Sequence, residues 1–187
     1  MQILEEYIKS KIDIDQELLP AIVSLFRGKN FTRDQEVIRV GQYVKDYYFI
    51  ATGGVRIVVE TESKEITSWI IFENNFFSDL ESLKNEQPAK GKILALDDTT
   101  ILTIPAKKMY ELFDQYPQWQ KFGRLIIEDA FLNVVDTLMT FQAMDAESRY
   151  LNLLRKSDAV NKIPLKQLAS YLGITPTSLS RIRKNIR

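Results

Sequence analysis

A chain of 187 residues with 25 basic and 25 acidic side chains, and with neither cysteine nor histidine, is excluded from a large part of enzyme chemistry. It forms no disulfide, offers no thiolate nucleophile or cysteine-ligated iron–sulfur cluster, and lacks the commonest metal ligand and general base near neutral pH. The zero net charge conceals an asymmetry: residues 161–187 hold six basic side chains and no acidic one, leaving 19 basic and 25 acidic in the first 160, as expected of a phosphate-binding module joined to a non-binding body.

The proportions, 45% apolar and 27% charged, are those of an ordinary globular chain with one large domain or two small ones. No apolar run approaches the roughly 20 residues of a membrane-spanning helix. Residues 1–13, interrupted by Glu5, Glu6, Lys9 and Lys11, lack the apolar stretch of a secretory signal. A cytoplasmic protein with no membrane partner is expected.

In chain order, residues 1 to about 28 read as helical. Leu18, Leu19, Ile22, Val23 and Phe26 recur at steps of three and four, and Gly28 reads as the stop. From about 30 to 105 short apolar stretches alternate with turn signals, at 36–40, 47–51, 55–60, 66–72, 93–96 and 100–104. Val55, Ile57, Val58 and Val59 are β-branched and suit a pleated surface. This spacing predicts a sandwich or barrel-like roll.

Helical periodicity returns at Pro105. Residues 107–116 form one helix, ended before Pro117, and a long helix runs from about 118 to 144. Phe122, Leu125, Ile126, Leu132, Val135, Leu138 and Met139 mark its apolar stripe, with Asp129 and Gln142 as polar interruptions. At 1.5 Å per residue it is roughly 40 Å long, more than a small roll covers, so pairing with a second copy is expected, as in a two-stranded coiled coil. Asp145 caps the next helix, 146 to about 156, and 157–162 read as a short polar connection.

The most specific pattern lies in 163–184. Pro164 opens a helix that runs to about Leu172, Gly173 reverses the chain in the left-handed conformation, and Thr175 caps a second helix with Pro176 at its first position. Two helices joined by so tight a turn need apolar residues at Leu168, Leu172, Ile174, Leu179 and Ile182 and a small one at the crossing, which Ala169 supplies. This is the helix-turn-helix pattern, and DNA binding is the expected function. Thr175, Thr177, Ser178, Ser180, Arg181, Arg183, Lys184 and Lys166 are the candidate DNA-binding residues. Arg181 suits a bidentate contact to guanine, and Thr177 and Ser178 suit bases or phosphate. Lys184, Arg183, Arg187 and Lys166 suit phosphates, which add affinity but little sequence information.

The order of β-roll, long helix, short helix and helix-turn-helix resembles the Crp–Fnr family of transcription regulators over essentially the whole chain. Gly41, Tyr48-Phe49-Ile50, Gly54-Val55-Arg56-Ile57 and residues 76–80 look like that family's nucleotide-binding fold. The resemblance implies an α+β fold: an N-terminal double-stranded, jelly-roll-like β-roll over 1–117 that senses an effector, a dimerisation helix over 118–144, and a helix-turn-helix domain over 145–187. It implies a homodimer on double-stranded DNA, with a two-fold symmetric operator and RNA polymerase as a further partner. The effector set it carries over is Phe77, Ser78, Asp79, Leu80, Ala89 and Lys90.

Three departures from the family qualify this. The cyclic-nucleotide cassette of Gly-Glu-Leu followed by Arg-Ser or Arg-Thr reads here Ser78-Asp79-Leu80 and Ala89-Lys90. The arginine is absent, and Lys90 offers a point charge in place of a planar fork. Cyclic AMP is therefore not the expected effector; another small anion at Lys90, or no ligand, is, and no cofactor is required. Secondly, the sequence stops three residues after Lys184, without the full β-wing that commonly follows the recognition helix. Thirdly, Thr177 stands where better-known members place a glutamate that accepts from cytosine, so the target sequence differs from theirs. Two other readings remain: a ligand-sensing or protein-interaction module without DNA binding, and a carboxylate hydrolase built on Asp79 and Glu81.

Overall fold

The computed structural model describes residues 1–62 and 64–186. The first 28 residues do not form the one helix expected. Asp15 accepts from the Glu17 amide at 2.8 Å, a local turn that competes with helical bonding, and the segment divides into α1 (Gln2–Lys11) and α2 (Leu18–Val23). Gly28 lies inside a strand, β1 (Arg27–Phe31), instead of ending a helix. Four of the five β1 residues are exposed, so no alternation marked it. Its pairing with β8 (Thr99–Pro105), from Arg27↔Thr103 to Phe31↔Thr99, holds it in the sheet.

The other strands are β2 (Glu36–Ile38), β3 (Asp46–Thr52), β4 (Gly54–Glu60), β5 (Glu65–Phe72), β6 (Phe76–Phe77) and β7 (Lys92–Ala95). They build two antiparallel sheets, ordered β1-β8-β3-β6 and β2-β7-β4-β5, which face each other as a roll. Val37, Ile38, Val44, Ile50, Val55 and Ile93 fill the space between them. The outer face of the first sheet, through Phe49, Ala51, Leu102 and Ile104, packs on α1, α2, α4 (Ala106–Gln115) and the start of α5 (Pro117–Ala143). The whole is the α+β fold expected.

Pro117 occupies the first position of α5, where its missing N–H matters least. The helix then has two regimes. Trp119, Phe122, Gly123 and Ile126 are buried against the roll, and the approach to α4 is so close that a Cβ on Gly123 would stand 2.6 Å from Phe113 Cε1. Beyond Ile126 the apolar side chains lose their cover: Phe131, Leu132, Leu138 and Met139 are 57–65% exposed, and Ile127 and Val134 join them. Among the described residues no helix is long and apolar enough to cross a membrane.

After α5 come α6 (Ala146–Lys156), a 3-10 turn (Asp158–Lys162) where the sequence suggested only a connection, α7 (Leu165–Leu172) and α8 (Pro176–Ile186). These form a head around Tyr150, Leu153, Val160, Ile163, Leu168 and Leu179.

Candidate nucleic-acid interface

The turn between α7 and α8 follows from two residues. Gly173 ends α7 at φ 70°, in the left-handed region, and lets the Ile174 amide donate to Ala169 O at 3.0 Å. Thr175 Oγ1 then accepts from the Ser178 amide at 3.1 Å, and the two hydroxyls share a 2.9 Å bond. Leu168, Ala169, Leu172 and Leu179 are fully buried between the helices, with Ile174 and Ile182 packed at the margin. The apolar face of the pair thus points inward at each position the motif requires.

The opposite face of α8 is open. Thr177, Ser180, Arg181 and Lys184 are exposed, and their spacing of three, four and seven puts them on one side of the helix. Arg181 and Lys184 enter no ion pair among the described residues. Lys166 is exposed near the start of α7. Thr175 and Ser178 belong to the same region, but their hydroxyls are engaged in the cap. Arg183 is placed differently. It is half-buried, its Nε donates to Tyr150 Oη at 3.2 Å, and its guanidinium lies 5.6 Å from that ring. It braces α8 on α6. Arg187 lies outside the described residues.

The expected effector residues each have local contacts of their own. Phe77 stacks on Tyr48 inside the roll, with ring centroids 5.1 Å apart. Burial, aided by the charge of Asp46, pushes the Tyr48 hydroxyl up to about 12. Ser78 Oγ donates to Asp46 O at 2.8 Å. Asp79 caps a short helix, α3 (Leu80–Asn85), by accepting from the Ser82 amide at 2.9 Å. Ala89 is buried in the roll, Leu80 is exposed, and Lys90 pairs with Glu81 at the surface. Five cavities among the described residues take no wall from these six. With Asp79 in a cap and Glu81 in an ion pair, those two carboxylates do not converge on a common cavity either.

Sequence reasoning missed a cleft where roll, long helix and head meet. It encloses about 480 Å³ between Trp69 and Ile71 of β5, the Asn74 turn, Asn133 and Thr137 of α5, and Tyr171 of α7. Burial, with Asp136 adding, raises the Tyr171 hydroxyl to about 12, so it stays neutral. The one trace of this cleft in the sequence is the polar pair Asn133 and Thr137, four residues apart in the apolar run of α5.

Residues 28–116 match the family model described as "Cyclic nucleotide-binding domain", just under half of the chain, and no curated protein matches the sequence. Among solved structures, FixK2 from Bradyrhizobium japonicum superposes with a TM-score of 0.72 at 14% identity, over 86% of this chain and 84% of that one. A CooA variant from Carboxydothermus hydrogenoformans gives 0.67 at 16%, over 93% and 85%. The regulator CLP from Xanthomonas campestris gives 0.67 at 14%, over 92% and 91%. At such identities the likeness is one of fold. In its roll and in its whole architecture the chain is similar in fold to these regulators, and likewise to a structure described as a putative transcriptional regulator of the crp/fnr family from Eubacterium rectale.

Proposed function

We propose that the chain is a homodimeric, sequence-specific DNA-binding transcription regulator, in which α5 joins two copies and α8 enters the major groove. The observation that carries this reading is the exposed row Thr177, Ser180, Arg181 and Lys184 on a helix whose other face is sealed by Leu179. A helix held in this way presents its outer residues to base edges. In this reading Arg181 reads guanine through paired donors, Thr177 and Ser180 contact bases or phosphate, and Lys184 and Lys166 neutralise phosphates. Arg183 is left out because Tyr150 engages it.

The uncovered stripe on α5 supports the dimer. An apolar row such as Phe131, Leu132, Leu138 and Met139 is the kind of surface that a second helix buries. Two copies related by a two-fold axis present their α8 helices to half-sites about one helical turn, 34–36 Å, apart.

Titration of duplex DNA at several salt concentrations tests this. Affinity is expected to fall linearly, on logarithmic scales, as phosphate contacts release counterions. Absence of duplex binding at low salt would leave only the protein-interaction reading.

A further inference from the structure

The outer face of the second sheet is not a solvent face. Residues paired across strands share a side. The register Arg56↔Ile70, Arg56↔Leu94 and Val58↔Thr67 therefore places these five side chains together, opposite the inward-facing Val55, Ile57, Ile71 and Ile93. All five are at most 7% exposed, whereas an antiparallel sheet over its own core ordinarily turns its other face to water. The head packs on this face. Ile70 and Leu96 belong to one apolar cluster with Leu168, Ala169 and Leu172, and α7 lies along β5.

Polar contacts fix where the head sits. On the edge strand β5 the Thr67 amide donates outward to Ser170 Oγ at 3.0 Å. Asp34, in a turn at φ 62°, aims Oδ1 at two donors: Arg56 Nη2 at 3.1 Å and Gln167 Nε2 at 2.8 Å. The buried Arg56 charge is thus neutralised by a carboxylate that also holds α7. Swinging the head away would uncover Ile70 and Leu96 and open this relay. With the head docked, Thr177, Arg181 and Lys184 remain exposed.

We propose that roll and head form one rigid body in each subunit, and that the outer face of this sheet, not occupancy of the roll, sets the orientation in which α8 meets DNA. Recognition then needs no small molecule. The inference about orientation rests on the DNA-binding reading; the docking itself does not.

The chain has no cysteine, so Thr67→Cys combined with Ser170→Cys introduces a single thiol pair. The disulfide is expected to form under mild oxidation of the full chain, equally with and without cyclic AMP or cyclic di-GMP. The oxidised protein is expected to bind the duplex that wild-type protein selects from random DNA with less than about a tenfold change from the reduced form. Thiols that stay free, a larger loss of affinity on oxidation, or cross-linking that depends on either nucleotide overturns the proposal. A check on wild-type protein guards against a misfolded variant: the Thr67 amide is expected to exchange slowly with solvent and to be released in Ser170→Ala. Fast exchange in wild type contradicts docking. If wild-type protein selects no duplex, the DNA reading fails while cross-linking and exchange still decide whether the head is docked.

Discussion

Arg183 and Lys184 are adjacent basic residues with the same promise in the sequence, and the structure gives them different tasks. A step of about 100° around the helix carries Arg183 to the Tyr150 hydroxyl and leaves Lys184 in solvent. Nothing in composition or spacing separates them; only the position of α6 does. Lys184→Ala is therefore expected to weaken duplex binding evenly across sequences and to reduce the salt slope by about one. Arg183→Ala is expected to lower the melting temperature of the head and leave that slope nearly unchanged. Arg181→Ala is expected to weaken the selected duplex by about 1–3 kcal/mol and to relax preference at one base pair, read by competition with point-substituted duplexes. Gly173 was legible as the turn residue because only a residue without Cβ adopts φ 70° without strain. The capping role of Asp79 was not legible, since its partner, the Ser82 amide, belongs to a helix too short to show periodicity.

At the scale of elements, the long helix was the easiest to read and its division the hardest. The stripe of period three to four runs through α5, but the sequence does not show that Phe122 and Ile126 face the roll while Leu132, Leu138 and Met139 face outward. That division makes the dimer testable without damage to the core. Leu138→Glu, at an exposed site, is expected to give folded monomers in sedimentation at concentrations where wild type is dimeric. Gly123→Ala, by contrast, forces Phe113 aside from a 2.6 Å approach and is expected to destabilise the roll by about 1–3 kcal/mol, as overpacking does, in a thermal melt. At the start of α6, donation from the Ser148 backbone and hydroxyl holds the Asp145 carboxyl below its ordinary value. A carboxylate with a depressed folded pKa stabilises above its unfolded pKa, and that contribution is lost as pH falls through the folded value. Acidification is thus expected to fray α6, seen in amide exchange of its first turn, and Asp145→Asn to flatten that dependence. The strands β1 and β6 escaped sequence reading because one is nearly all exposed and the other has two residues.

For the whole molecule, the order of roll, long helix and helical head was legible because short apolar stretches set between turn signals give way to apolar steps of three and four after Pro105. The stacking of Tyr48 on Phe77 inside the roll was not, since strands far apart in sequence bring the two rings together. The docked head had a faint signal in β4, where Val55, Ile57, Val58 and Val59 follow no strict apolar–polar alternation, as suits burial on both faces. The central claim, that two α8 helices of a symmetric dimer read DNA, is tested most directly by selecting duplexes from a random library with the wild-type chain. The account predicts an enriched motif of two inverted half-sites, centred about 10 base pairs apart or at a multiple of that spacing, which Arg181→Ala no longer selects. Recovery of no motif, or of a single unpaired site bound equally well by Arg181→Ala, would contradict it.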